Sequence, residues 1–109
     1  MPPSTADAQP GRVALVTGAV GGLGRACVGR LAADGTAIAL VGRDVDALES
    51  AADAVRASGA QAVVAVADVR DRDACRQAVE TAVATLGRLD VVVNAAGVYP
   101  RQPVLAMSA

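Results

Sequence analysis

The segment Val13-Ala-Leu-Val-Thr-Gly-Ala-Val-Gly-Gly-Leu-Gly24 decides how the rest of the chain is interpreted. Its apolar start, from Val13 to Val16, is typical of a buried strand. Glycines follow at positions 18, 21, 22 and 24, and helix-forming sequence resumes directly after them. A strand that leads through a glycine-rich turn into a helix is how α/β proteins hold a phosphate, at the free N–H groups of the first helical turn. The segment therefore predicts a phosphate-binding turn.

The composition limits the chain to one small domain. Its 109 residues can enclose one hydrophobic core but not two. Hydrophobic residues make up 53% of the chain but aromatic residues only 1%, so the core must consist of Ala, Val and Leu. Valine-rich strands covered on both faces fit this composition. We predict a loose leader over residues 1–11 and a partial nucleotide-binding domain over residues 12–109.

Charge and cysteine content exclude several function classes. A net charge of -1 provides no electrostatic footprint for nucleic acid or for an anionic membrane. No apolar run approaches the roughly 18 residues of a membrane span, and no signal peptide is recognisable, so we expect a cytoplasmic protein. Cys27 and Cys75 lie in different predicted helices of a chain without histidine, which predicts neither a disulfide framework nor a metal site.

Strands and helices alternate along the chain. We predict strands at 12–17, 36–41, 61–67 and 89–93. The intervening helices begin at Leu23, at an Asp46/Glu49 capping box and near Asp71, and glycines 35, 59 and 87 end them. Four-residue spacing predicts their buried faces: Leu23, Cys27 and Leu31 in the first helix, Leu48, Ala52 and Val55 in the second, and Cys75, Val79, Ala82, Val83 and Leu86 in the third.

This β-α-β-α-β-α-β order predicts a Rossmann-type α/β fold. Connections of a dozen or more residues with right-handed crossovers require parallel strands with helices on both faces. We expect a truncated doubly wound sheet with strand order 3-2-1-4. Ligands of such sheets bind beyond the carboxyl ends of the strands, at the switch between strands 1 and 4. Unusual residues stand at those four ends: Gly18, Arg43, Asp68 and Asn94.

Arg43 follows the second strand, where the ribose of a bound dinucleotide would lie. An acidic residue there would accept hydrogen bonds from a ribose 2′-hydroxyl, the usual arrangement for NAD. A guanidinium there would instead bind a 2′-phosphate with charge-assisted bonds of about 1.5–3 kcal/mol, roughly a ten- to hundredfold preference for NADP. The alternatives are that Arg43 is solvated and that the neighbouring Asp44 meets a 2′-hydroxyl.

Three further polar residues allow more than one interpretation. Asp68 is placed to accept a bond from an adenine amino group, or to cap the next helix. Asn94 is placed to tie neighbouring backbone together beside a cofactor, or to serve the fold alone. Tyr99 is the only aromatic residue, but without any lysine to lower its pKa it is not assigned a catalytic role.

Together these residues resemble the short-chain dehydrogenase/reductase family. Its cofactor turn, T-G-x-x-x-G-x-G, is matched by residues 17–24, and its acid followed by an apolar residue is matched by Asp68-Val69. Its N-N-A-G motif is matched, with alanine in second place, by Asn94-Ala95-Ala96-Gly97. Arg43 stands where members that prefer NADP carry a basic residue.

The resemblance implies a Rossmann-fold oxidoreductase that transfers hydride between a nicotinamide cofactor and a small-molecule alcohol or ketone, often as a homo-oligomer. NADP is the expected cofactor, and NAD is the less favoured one. The implied cofactor site consists of Gly18, Val20, Gly22, Leu23, Gly24, Arg43, Asp68, Val69, Asn94, Ala96 and Gly97.

The chain departs from the family in its catalytic residues. In the family, a catalytic Ser, a Tyr-x-x-x-Lys and a helix Asn belong to the second half of the protein, and none of them can be placed in this sequence, which contains no lysine at all. No catalytic residue is therefore assigned, and the chain by itself is predicted to be inactive. The alternative function is a non-catalytic module that binds a dinucleotide or a protein partner. A methyltransferase using the same turn for S-adenosylmethionine is disfavoured by Arg43, because an acid is expected there.

Overall fold

Four strands and three helices alternate along the chain. The structure is a computed structural model and describes residues 11–95. Its elements are β1 (Val13–Thr17), α1 (Gly22–Ala33), β2 (Ala37–Gly42), α2 (Val45–Ala57), β3 (Ala62–Val66), α3 (Arg72–Leu86) and β4 (Val91–Asn94). Each predicted element is present, with boundaries within two residues of those predicted.

The strands form one parallel sheet in the order β3-β2-β1-β4, which confirms the predicted topology. In the central register Val16 lies beside Leu40 on one side and beside Val93 on the other. Because all four strands run the same way, their carboxyl ends meet at one edge. The topological switch point, where the strand order reverses, falls between β1 and β4. Ligands bind at this point in doubly wound folds.

One face of the sheet is covered by α1 and α2. Side chains from β1 and β2, including Val16, Ile38 and Leu40, pack there against Val28 of α1 and Leu48 of α2. The opposite face is covered by α3, and its core residues are Val13, Leu15, Ala37, Ala39, Val41, Ala67, Ala78, Ala82 and Leu86. The first five residues of β2 are all buried, as expected of a central strand covered on both faces.

The predicted buried face of α1 is wrong by one residue. The buried positions are Gly24, Val28 and Ala32, whereas Leu23 is 65% exposed. The reason is steric. The start of α1 lies against the glycine turn at Gly24, which has no side chain, and this contact fixes the rotation of the helix about its axis. The four-residue repeat therefore begins at Gly24 rather than at the larger residue before it.

The predicted buried face of α3 is partly wrong. Ala82 and Leu86 are buried as expected, together with Ala78, but Val79 and Val83 are 38% and 43% exposed. Small alanines allow the helix to approach the sheet closely, and the valines then lie at the side of that contact. By contrast, the predicted face of α2, formed by Leu48, Ala52 and Val55, is confirmed.

Aspartates cap α2 and α3. The predicted capping box of Asp46 with Glu49 is wrong, because the N-cap of α2 is Asp44, whose Oδ1 accepts the N–H of Ala47 at 3.2 Å. The box failed because the helix begins two residues earlier than the pattern suggested. α3 begins near Asp71 as predicted, and Asp71 is its N-cap, whose side chain accepts the N–H groups of Asp73 and Ala74. The role of ordinary helix cap is therefore excluded for Asp68.

Asp90 joins the start of β4 to the start of β1. Its Oδ2 accepts the backbone N–H of Val13 at 2.9 Å, and its own N–H donates to the carbonyl of Val13 at 2.9 Å. The guanidinium of Arg88 donates to both carboxylate oxygens. The bonds from Arg88, and then the backbone bond from Val13, hold the pKa of Asp90 below its usual range.

None of the helices between residues 11 and 95 is long and apolar enough to cross a membrane.

We predict that Asp90 makes the fold sensitive to acid. Because its pKa is lower in the folded chain than in the unfolded one, the folded state binds fewer protons, and the stabilisation present above about pH 4 is lost as the pH falls below that value. Urea unfolding between pH 7 and pH 2.5 should show a smaller acid-dependent loss of stability for Asp90→Asn than for the wild type. Asp53→Asn, which alters the exposed pair with Arg56, is the control and should follow the wild-type profile. Parallel profiles for wild type and Asp90→Asn would contradict the prediction.

Candidate nucleotide-binding site

The glycine turn follows β1 directly and is closed by backbone hydrogen bonds. Gly18 has a φ of 65°, a left-handed conformation that residues with a side chain rarely adopt. Its N–H donates to the carbonyl of Val41 at 3.0 Å, which ties the turn to the end of β2. Its carbonyl accepts the N–H of Gly21 at 3.1 Å. The turn is thus fixed to two neighbouring strand ends.

Gly24 allows α1 to start against this turn. A Cβ at this position would overlap the carbonyl oxygen of Gly18 and would lie 2.7 Å from its carbonyl carbon and 3.0 Å from the Cα of Ala19. All three obstructing atoms belong to the backbone, so no side-chain rotation would relieve the overlap. The last glycine of the motif is therefore required by packing. At Gly22, in contrast, an added Cβ would meet no atom within 4 Å.

The N-terminus of α1 is suited to an anion. Its N-cap is Gly21, and within the described residues no side chain caps the helix and no acidic residue lies in its first turn. The other two helices have aspartate caps. The N–H groups and the positive end of the helix dipole therefore face the turn without an acid of the chain's own to neutralise them, which favours a phosphate there.

A cleft of about 540 Å³ lies at the carboxyl edge of the sheet, beside the glycine turn. It is lined by the turn itself, by the residues that follow β2 and β3, and by the residue that follows β4: Gly18, Val20, Gly21, Gly42, Arg43, Asp44, Ala67, Asp68, Val69, Arg70 and Ala95. The cleft crosses the β1/β4 switch point of the sheet. Its position and size suit the adenosine half of a dinucleotide.

Four charged side chains line the part of the cleft that follows β2 and β3: Arg43, Asp44, Asp68 and Arg70. Arg70 forms a fork with the Asp68 carboxylate, with its Nη2 donating at 2.8 Å and its Nε at 3.1 and 3.3 Å. These bonds, followed by the bond from the Arg70 backbone N–H and the nearby charge of Arg43, hold the pKa of Asp68 well below its usual range. Asp68 is therefore a carboxylate at any physiological pH.

Asn94 ties β4 to β1 beside the cleft. The hydroxyl of Thr17 donates to its side-chain oxygen at 2.8 Å, and the N–H of Ala95 donates to the Thr17 carbonyl at 3.2 Å. The predicted role of holding neighbouring chain segments together thus has a counterpart in the structure, through a side chain of β1. Ala96 and Gly97, predicted to complete this part of the site, lie outside the described residues, as does Tyr99.

The structure brings together five of the predicted site residues in the cleft: Gly18, Val20, Arg43, Asp68 and Val69. Gly22, Leu23 and Gly24 form the first turn of α1 instead, and Asn94 lies at the end of β4. Arg70 was missed. Its position in the sequence could have indicated this role, because Arg70 follows Asp68 by two residues after the end of β3. At that spacing a turn brings the two side chains close enough to form an ion pair. Residues 11–95 contain no group of three His, Cys, Asp or Glu side chains able to hold a metal ion.

The fold is of the Rossmann type, with its cleft at the sheet edge where such folds bind nucleotides, and comparison with known proteins identifies the family. The family model for short chain dehydrogenases matches residues 12–109. The chain therefore belongs to the short-chain dehydrogenase/reductase family, as its motifs predicted. The reaction of this family is hydride transfer between a nicotinamide cofactor and a substrate, and nothing in the comparisons favours a non-catalytic binding module.

Similar proteins are longer and differ in the cofactor they bind. The chain is 37% identical to peroxisomal 2,4-dienoyl-CoA reductase of Arabidopsis thaliana over 94 residues, 86% of this chain and 32% of the relative. The crystal structure of L-sorbose reductase from Gluconobacter frateurii with NADPH and L-sorbose has a TM-score of 0.78 at 29% identity, and the match covers 94% of this chain and 40% of that chain. The crystal structure of NAD⁺-bound xylitol dehydrogenase has a TM-score of 0.72 at 42% identity, and the match covers 76% of this chain and 32% of that chain. The chain thus spans less than half of each.

Substitution of Gly24 should test the contact between helix and turn. We expect Gly24→Ala to lower the free energy of unfolding by about 1–3 kcal/mol, since the added methyl group meets only backbone. Gly29→Ala is the matched control in the same helix. Its Cβ meets nothing within 4 Å, and the change should raise the free energy of unfolding by about 0.5–1 kcal/mol through helix propensity. Urea unfolding measures both changes, and equal stabilities of the two variants would contradict the steric argument.

Proposed function

We propose that this chain is the cofactor-binding part of a short-chain dehydrogenase/reductase that uses NADP(H). The single observation that carries the cofactor preference is the position of Arg43, which lines the same cleft as the glycine turn and follows β2 directly. With a phosphate of the cofactor at the start of α1, the 2′ position of the adenosine ribose would lie toward the end of β2. The substrate is a small-molecule alcohol or ketone by membership of the family.

The competing interpretation assigns the ribose to Asp44. Its Oδ1 already accepts the N–H of Ala47 as the cap of α2, so part of its acceptor capacity serves the fold. Among the ion pairs formed by residues 11–95, none includes Arg43. Arg43 thus has no ion-pair partner among these residues, whereas Asp44 is engaged as a helix cap. This favours a negatively charged ligand group, such as a 2′-phosphate, over a 2′-hydroxyl.

The cofactor preference can be measured with two adenine nucleotides that differ only in the 2′-phosphate. We expect the ¹⁵N-labelled chain to bind 2′,5′-ADP more tightly than 5′-AMP in an NMR titration. Arg43→Gln should weaken 2′,5′-ADP binding by roughly ten- to hundredfold and change AMP binding little, because it removes a charge-assisted bond to the 2′-phosphate.

Arg30→Gln is the control, since this exposed arginine lies in the last turn of α1 and does not line the cleft. It should leave both affinities unchanged. A wild-type chain that binds the two nucleotides equally, or an Arg43→Gln variant that keeps the preference, would overturn the assignment to NADP.

We also expect the 109-residue chain to show no turnover by itself. It contains no lysine, so the Tyr-x-x-x-Lys that the family resemblance implies as its acid/base pair is missing from these residues. Purified chain with NADPH and a panel of ketones should oxidise NADPH no faster than a control without protein, and steady oxidation above that control would contradict this. Cytoplasmic location and homo-oligomer formation remain part of the proposal.

A further inference from the structure

The cleft is lined by two cations, Arg43 and Arg70, and by two carboxylates, the α2 cap Asp44 and Asp68. Arg43, Asp68 and Arg70 line the same cleft, and of the two arginines only Arg70 bonds to Asp68. The charge of Arg43 acts on Asp68 through space. An anionic ligand in the cleft would therefore meet one cation engaged by a carboxylate and one that is not.

The bonds from Arg70 occupy both oxygens of Asp68. Oδ1 accepts the backbone N–H of Arg70 at 2.9 Å and Nε at 3.1 Å, and Oδ2 accepts Nη2 at 2.8 Å and Nε at 3.3 Å. A carboxylate offers about four acceptor positions, so most of the capacity of Asp68 is used by one neighbour two residues away. The bond from the Arg70 backbone N–H to Asp68 closes the turn between the two residues, and within this turn the Arg70 guanidinium can reach the carboxylate directly.

Resting on the proposed binding of NADP, we propose that Arg70 is a positioning residue that occupies Asp68 and thereby leaves the guanidinium of Arg43 available to the 2′-phosphate. Without Arg70, the carboxylate of Asp68 in the same cleft would be free to pair with Arg43 and would repel an incoming phosphate. Both effects weaken binding of a nucleotide that carries a 2′-phosphate more than binding of one that does not. Arg70 thus acts on specificity through Asp68 and not by contact with the ligand.

The magnitude of this effect is limited by solvent. The side chain of Arg70 is 78% exposed and that of Asp68 34% exposed, so their charges are screened by water and by salt. We expect Arg70→Gln to weaken 2′,5′-ADP binding by about two- to fivefold at low ionic strength, and less at 0.15 M salt. Binding of 5′-AMP should change by a smaller factor.

A double variant separates the indirect role from a direct contact. In Arg70→Gln combined with Asp68→Asn, the Asp68 carboxylate can no longer compete for Arg43, so the preference for 2′,5′-ADP over 5′-AMP should return toward the wild-type ratio. A contact of Asp68 with the adenine would affect both nucleotides alike and cancels in that ratio. Arg76→Gln is the matched control. It removes a guanidinium from a similar exposed pair, with Asp73 on α3, that does not line the cleft, and it should leave the nucleotide preference unchanged.

The ionisation of Asp68 provides a readout independent of any nucleotide. ¹³C NMR of its carboxyl group should show the pKa rising toward about 4 in Arg70→Gln, because the bonds that lowered it are lost. Arg70→Lys keeps the charge but not the fork, so the rise should be smaller. This variant also keeps the test valid if Arg70→Gln does not fold, as judged from the dispersion of its ¹⁵N spectrum.

The outcomes discriminate between the two proposals. If wild type prefers 2′,5′-ADP and Arg70→Gln alters neither that preference nor the pKa of Asp68, the positioning role is wrong and the NADP assignment stands. If the preference of the double variant for 2′,5′-ADP over 5′-AMP stays as low as that of Arg70→Gln, Arg70 contacts the 2′-phosphate directly and the proposed mechanism is wrong. If wild type shows no preference, the NADP assignment fails, and the role of Arg70 fails with it.

Discussion

The contact between Gly24 and the carbonyl of Gly18 controls how the first helix meets the sheet. No side chain fits between these two backbone segments, so α1 starts directly above the turn that ends β1. That approach places the positive end of the helix beside the carboxyl edge of the sheet, where a phosphate would bind. It also fixes the rotation of the helix, so that Val28 and Ala32 enter the core. One backbone contact thus links the packing of the core with the geometry of the site.

The aspartates near the carboxyl edge of the sheet have different partners. Asp44 and Asp71 cap α2 and α3, and so their carboxylates serve the helices that they begin. Asp68 is held by Arg70 instead. Within the described residues no side chain caps α1, and no acidic residue lies in its first turn. The positive end of its helix dipole therefore stays unneutralised beside the glycine turn. This arrangement suits a ligand with several phosphates better than one that is neutral.

The side of α3 shows where packing and pattern separate. Val79 and Val83 are apolar and have helical spacing, yet they are partly exposed, and Val92 of β4 is 60% exposed. Val92 lies beside Leu15 in the register, on the sheet face that α3 covers. Within residues 11–95, this leaves apolar surface on α3 and on the adjoining edge strand. A pattern records that a position is apolar, but not which neighbour covers it.

The sequence by itself determined the order of the elements, the parallel sheet, the strand order and the family. These follow from local signals, since apolar runs, glycine ends and aspartate caps act within a few residues of each other, and crossover handedness restricts the rest. Tertiary structure alone decided the rotation of α1, the exposure of Val79 and Val83, the true cap of α2 and the pairing of Arg70 with Asp68. The rotation of α1 and the exposure of the two valines depend on how closely backbone segments approach one another, which spacing along the chain does not encode. The α2 cap and the Arg70–Asp68 pair are local, but spacing leaves several candidate partners, and only the folded backbone decides which side chain reaches the N–H group or the carboxylate.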